Sequence, residues 1–219
     1  MPLDREPARI RGYRPDDLEP LYGVCLQTAN AGEDATGLFR DPRLPGHVYM
    51  APYVTFEPSL AFVAEDAAGV GGYIVGALDS PAFGRRLEQD WWPALRARYP
   101  EPRSDQAERL PPPERQFVQE IHRPFGAPPE VVEHFPSHLH INLLPRMQGR
   151  GTGRRLIATL ISGLRDHGSR GVHLLVGYSN QRAVGFYRHL GFTGLPATGL
   201  HIFGMKLTAE AASQPDGSA

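Results

Sequence analysis

The spacing of apolar residues changes several times along the chain, and each spacing implies an element. Residues 9–13 read as a first strand, and Asp16 or Asp17 opens a helix through Leu18, Leu21, Val24 and Cys25. Residues 32–40 are expected to form a second helix, and the proline- and glycine-bearing 41–46 a loop. The apolar runs 60–64 and 70–78 flank Asp66-Ala67-Ala68-Gly69, which makes them an antiparallel hairpin of central strands. The last two strands are expected at 193–195 and 200–206, paired as a hairpin, and 208–219 is a small, polar tail.

The most informative stretch is 139–168. Leu139, Ile141 and Leu143 alternate with His140 and Asn142, the period of a strand, and Pro145 stops it. Gln148, Gly149, Arg150, Gly151, Thr152 and Gly153 follow without an acidic residue. Then Leu156, Ile157, Leu160, Ile161 and Leu164 recur at helical spacing until Gly168. A strand thus feeds a glycine-rich turn, which feeds a helix N-terminus. Such a turn exposes backbone N–H groups, the helix dipole adds positive potential, and glycines admit a close anion. Arg146, Arg150, Arg154 and Arg155 add full charges. The simplest ligand for this arrangement is a pyrophosphate; the competing reading is a tight turn with solvated arginines. The turn lacks the Lys-Ser/Thr ending of a nucleotide-binding P-loop.

Downstream, residues 172–176 read as a buried strand, and Ala183, Phe186, Tyr187 and Leu190 make one helical face that ends at Gly191. Between the hairpin and the central strand lie about sixty residues, 77–137. There Phe83, Leu87, Trp91, Trp92, Leu95 and Tyr99 are spaced as one amphipathic helix, 100–113 is proline-rich loop, and Phe117–His122 and 131–135 suggest two short helices. A segment this aromatic must bury itself, and it is expected over the substrate side of a cleft, the alternative being a structural flap or dimer contact. Tyr49 and Tyr53 are candidate hydroxyl donors to a substrate, while Phe56 reads as packing.

Gln148, Gly151 and Gly153 fit Q-x-x-G-x-G, and Asn180 to Phe192 fit N-x-x-A-x-x-F-Y-x-x-x-G-F. Together, in this order, they resemble the two conserved blocks of the GCN5-related N-acetyltransferases (GNAT). The wording around Trp91-Trp92-Pro93 and Phe135-Pro136-Ser137-His138 is similar to a bacterial branch that resembles the C-terminal domain of animal O-GlcNAcase, regarded there as a pseudo-acetyltransferase. The resemblance implies an α/β fold: a mixed, mostly antiparallel central sheet flanked by helices, with a long helical insertion before the fourth strand. It implies one domain, 1–208, with 77–137 inserted and 209–219 a flexible tail.

The resemblance also implies acetyl-CoA as cosubstrate. The backbone of Ile141 and Leu143 would bond the pantetheine arm, and the amides of Gln148, Gly149, Arg150, Gly151, Thr152, Gly153 and Arg154 would hold the pyrophosphate. Asn180, Ala183, Phe186 and Tyr187 would line the other side. Asn180 has a competing role as a helix cap, and Arg182 and Arg188 either reach a phosphate or are solvated. Tyr187 matches the family's general acid, since a phenol can donate to the leaving thiolate; otherwise it is a core tyrosine. An amine acceptor needs a base. His138, His140 and Asn142 share one strand face, and His140 is the first choice, with His138, Glu133 and His134 behind it. Relatives in this branch often carry Asp where Asn142 stands, and an amide does not titrate. Two histidines without a third ligand argue for no metal.

Composition narrows the class. With 41% hydrophobic residues and a formal net charge of −1 the chain is an ordinary globular protein without the excess charge of a bulk nucleic-acid binder. Lys206 is the only lysine, which with 22 prolines and 24 glycines reflects coding bias rather than function. Cys25 is alone, so no intrachain disulfide forms. No leader or spanning segment is read, so a cytoplasmic protein, monomer or homodimer, is expected. Three readings stay open: acetyl transfer to an amine on a small molecule or protein, a catalytically idle acetyl-CoA binder, and a nucleotide-phosphate-binding module.

Overall fold

A computed structural model describes residues 7–101, 109–177, 180–196 and 201–207. Among the described residues seven strands form one sheet in the order β1-β2-β3-β4-β5-β7-β6. They are β1 (Arg9–Gly12), β2 (Ala61–Asp66), β3 (Gly69–Ala77), β4 (Ser137–Leu143), β5 (Gly171–Val176), β6 (Thr193–Leu195) and β7 (His201–Lys206). Every pairing is antiparallel except β4 with β5. The expected mixed, mostly antiparallel sheet is present, and helices cover both faces.

Helices α1 (Leu18–Leu26), α2 (Leu44–Tyr49), α3 (Ala51–Phe56), α4 (Ser80–Asp90), α5 (Trp92–Arg98) and α6 (Pro112–His122) pack on one face. Short α7 (Pro129–His134) leads into β4, with Val131 and Phe135 against Ile202. Helices α8 (Thr152–Asp166) and α9 (Gln181–His189) cover the other face. The sheet therefore separates two cores, and alternation along β4 sends Leu139, Ile141 and Leu143 to the α8 side. The start of α1 is fixed by a bidentate Arg11–Asp17 pair with bonds of 2.7 and 2.8 Å.

Four local readings need correction. The expected loop 41–46 is not loop to its end: Leu44, Pro45 and Gly46 begin α2, with Pro45 in its first turn. Residues 32–40 are not helical; Gly32 and Gly37 take φ of +94° and +85°, which interrupt an α run. The single helix read over 83–99 is two, broken at Trp91, because Pro93 has no N–H to continue the ladder. The proline-rich 100–113 is not loop to its end: Pro112 and Pro113 occupy the first turn of α6, where a missing N–H costs nothing. The central part of that loop, 102–108, and the tail 208–219 lie outside the described residues.

The helices between β3 and β4 are tied to α2 and the segment before it by buried polar bonds. Trp91 Nε1 donates to the His47 carbonyl at 2.9 Å, and the Tyr99 hydroxyl donates to Asp41 at 2.6 Å. Glu114, buried on α6, receives Arg40 at 2.9 Å. α2 in turn sits on α1 through Gly46, where a Cβ would stand 2.3 Å from the Tyr22 ring. Gly46→Ala is therefore expected to cost about 1–3 kcal/mol through overpacking, read as a lower urea midpoint with unchanged slope. An unchanged midpoint would mean that α2 slides on α1 without penalty.

Candidate active site

β4 and β5 pair only at Ser137–Val172 and His138–His173, and then separate. Leu144 N–H bonds Gly71 O on β3 at 2.9 Å. By strand alternation the backbone groups of residues 140 and 142 also point to β3, and those of Ile141 and Leu143 point into the gap beside β5. A slot with unpaired strand edges results. Leu143 O is the exception, since Gln148 Nε2 donates to it at 2.7 Å.

The slot opens into a cleft of about 1030 Å³ whose walls come from β4, β5, the glycine-rich turn, α1, α2, α6 and α9. Of the residues read as cofactor-binding, Ile141, Leu143, Gln148, Gly149, Gly151, Gly153, Arg154, Asn180, Ala183, Phe186 and Tyr187 all line it. Arg150 belongs to the same turn but not to the cleft lining, and the Thr152 side chain is buried behind it.

Gly149 and Gly151 have φ of +75° and +74°, and Gly151 is the N-cap of α8. The first intrahelical bond is Arg155 N–H to Gly151 O. The amides of Thr152, Gly153 and Arg154 thus leave the helix start without a partner inside it. Gly153 serves a different purpose: a Cβ there would lie 3.0 Å from Phe186 and 3.2 Å from Leu143, so its absence lets α9 close over the turn. Of the arginines read at this turn, Arg146 and Arg155 are engaged away from the cleft. Arg146 bonds Asp66 at 3.2 Å and the Val70 carbonyl at 3.0 Å, and Arg155 donates to the Ala8 carbonyl.

Asn180 does cap α9, its Oδ1 accepting from Ala183 N–H at 3.1 Å. It still lines the cleft, so the cap and the binding position are compatible. Arg182 lines the cleft, whereas Arg188 lies over the Phe203 ring, 6.0 Å from its centre. Tyr187 is buried among Phe186, Phe192 and Phe203 while its side chain reaches the cleft. Burial pushes its phenol well above the ordinary range, so it stays protonated at neutral pH.

His140 and Asn142 face the other end of the cleft, and burial holds the His140 imidazole down at about 4, hence neutral at pH 7. His138 is not available as a base: Ser80 Oγ lies 2.7 Å from Nδ1 and Tyr53 OH 2.9 Å from Nε2. That bond also occupies the hydroxyl read as a substrate donor on Tyr53. Glu133 and His134 lie exposed on α7 and do not line the cleft. Among the described residues no group of three or more His, Cys, Asp and Glu is placed to hold a metal ion.

The His140 end of the cleft contains residues that sequence reasoning missed, Thr28, Gln116 and Glu120 among them. Thr28, at the end of α1, lines the cleft and accepts the Asn142 amide. Tyr49, read as a hydroxyl donor to a substrate, instead stacks on His140, with centroids 5.0 Å apart and planes at 10°, and spends that hydroxyl on Glu120 of α6 at 2.6 Å. Gln116 and Phe117 of α6 also line the cleft, so the insertion does form part of its wall. The apolar spacing of Phe117, Val118 and Ile121 announced a buried helix, but nothing in it announced which residue Glu120 would meet.

The profile of the Acetyltransferase (GNAT) family matches residues 85–192, which include both the turn and α9. The solved structure of SsHAT superposes with a TM-score of 0.81 at 38% identity, covering 93% of this chain and 100% of that one. Rat (Rattus norvegicus) protein O-GlcNAcase is 27% identical over 189 residues, 83% of this chain but 20% of that protein. The chain thus spans about a fifth of the length of the curated relatives it first matches. A phosphinothricin acetyltransferase from Sinorhizobium meliloti, solved in complex with AcCoA, shares the fold at 15% identity and a TM-score of 0.55, over 97% of this chain and 95% of that one. The splayed β4–β5 pair and the glycine turn at the start of α8 agree with the family match and the SsHAT superposition: this chain belongs to the GNAT acetyltransferase family.

Proposed function

We propose that the protein transfers the acetyl group of acetyl-CoA to an amine by direct attack of the amine nitrogen on the thioester carbon. The observation that carries this reading is the slot where β4 and β5 part, in a cleft lined by the turn at the start of α8, Tyr187 and His140. The pantetheine arm is extended and carries amides, so it fits an edge of unpaired strand groups at Ile141 and Leu143. The pyrophosphate fits the amides of 151–154. The new C–N bond forms as the C–S bond breaks. The thiolate, with a conjugate-acid pKa of about 8.5, takes the proton of the Tyr187 phenol. The proton shed by the amine nitrogen passes to neutral His140, and solvent resets both groups.

One observation favours a second reading, an idle acetyl-CoA binder: where a carboxylate would hold an ammonium group, β4 presents the amide of Asn142. Calorimetric titration with acetyl-CoA, CoA and ATP, followed by thiol release on a panel of primary amines, decides among the readings. Tight acetyl-CoA binding with turnover supports transfer; binding without turnover leaves the idle binder; preference for ATP defeats both.

His140 makes the transfer reading testable by pH. Its pKa is depressed to about 4 by burial, so the basic form persists well below the ordinary histidine range near 6.5. The acidic limb of kcat is expected near pH 4, not 6.5, and should disappear in His140→Ala along with most of the rate. If that variant keeps both rate and limb, His140 is not the base. Burial likewise holds His47 at about 4 and His138 at about 3, so folding becomes less favourable as pH falls from about 6.5 toward 3, and rates must be referred to the folded fraction.

A further inference from the structure

One buried polar atom in the cleft has no partner. Asn142 Oδ1 is shielded from solvent and meets no hydrogen-bond donor. The other end of that amide is pinned. Thr28 Oγ1 donates its hydrogen to the Val24 carbonyl at 2.8 Å, with the Cys25 carbonyl at 3.2 Å, so only its lone pairs remain. Those lone pairs take Asn142 Nδ2. A flipped amide would set oxygen against oxygen, so the i−4 bond of Thr28 decides which way Asn142 points. A buried acceptor left unpaired costs about 1–3 kcal/mol, and the cost is relieved by any N–H that turns toward it.

The nearest ring able to do so is His140, two residues back on the same strand face. The amide already acts on this imidazole, raising its pKa against the effect of burial. Tyr49 offers His140 no competing bond: it meets the ring face to face and spends its hydroxyl on Glu120. The rival donor is Tyr73, opposite Asn142 across β3 and β4, whose buried hydroxyl has only the weak Cys25 thiol as a neighbouring partner.

We propose that Thr28 and Asn142 are positioning residues for His140: the pinned amide oxygen receives one ring N–H, which fixes the tautomer and leaves the lone pair of the other nitrogen toward the acceptor. An asparagine suits this task because it holds an imidazole in one tautomer without adding a charge to a buried face. This rests on the acetyl-transfer reading with His140 as proton acceptor.

The test uses ¹⁵N-histidine spectra of the whole protein, which report the tautomer of His140 without any acceptor present, alongside kcat and KM for one amine. Wild type is expected to show one dominant tautomer. Thr28→Val should give a tautomer mixture, a roughly tenfold lower kcat and a nearly unchanged KM. Thr28→Ser should restore both, and Tyr73→Phe should leave the tautomer as it is. Should Thr28→Val fail to fold, Asn142→Leu removes the same bond and is read the same way. An unaltered tautomer in Thr28→Val or Asn142→Leu overturns the proposal, and so does a tautomer change in Tyr73→Phe alone. A tautomer change with no loss of rate also overturns it, together with the role of His140, while leaving acetyl transfer intact. If wild type acetylates no amine, the transfer reading falls, and with it the proposal that this bond serves proton transfer.

Discussion

Replacing Tyr187 with phenylalanine is expected to lower kcat by about 10²–10⁴, the usual contribution of a positioned proton donor, while acetyl-CoA affinity stays within about twofold. The ring is held by Phe186, Phe192 and Phe203, and phenylalanine keeps those contacts. Only the hydroxyl is lost, and with it the proton for the leaving thiolate. Burial keeps that proton on the oxygen across the neutral range, so the wild-type rate should show no basic limb from Tyr187 below pH 9. Single-turnover kinetics with calorimetry in parallel separate the two effects. Equal turnover in the variant would return Tyr187 to the core as a packing residue.

The second large effect is expected at the turn. Gly151→Val should weaken acetyl-CoA binding by about 10–100-fold, the equivalent of losing one or two charge-assisted hydrogen bonds. Its φ of +74° is hard for a β-branched residue, at a cost of about 1–2 kcal/mol, yet a Cβ there meets nothing within 4 Å. The strain is therefore local to the amides that start α8, and the added methyls project where an anion would approach. Gly153→Ala makes a useful contrast, because its Cβ would press on Phe186 at 3.0 Å and loosen α9 instead. The measurement is acetyl-CoA affinity against thermal midpoint for both. A Gly151→Val protein that binds normally would remove the pyrophosphate from this turn.

Among the described residues no helix is long and apolar enough to cross a membrane. The sheet separates two cores, and the cleft lies where it divides between β4 and β5.

How much of this was legible in the chain itself depended on range. Local rules placed β4, the glycine turn and α8 correctly, because alternation, glycine and 3.6-residue spacing act within a few residues. They also located the amides of 151–154 and the face shared by His140 and Asn142. They failed at 32–40, where a helix was expected but glycine φ angles prevent one, and at Trp91, where the apolar stripe ran on through a proline that the backbone could not follow. What the sequence alone determined was the family pattern of the cofactor end, since two contiguous motifs carry it. Only the tertiary structure decided the surroundings of His140. There Thr28, Tyr49, Glu120 and Asn142 come from α1, α2, α6 and β4, and the pairs that meet are separated by 114 positions for Thr28–Asn142 and 71 for Tyr49–Glu120. Each is an ordinary residue in its own segment. Its partner and remaining hydrogen-bonding capacity are set by packing between elements, which no short-range pattern encodes.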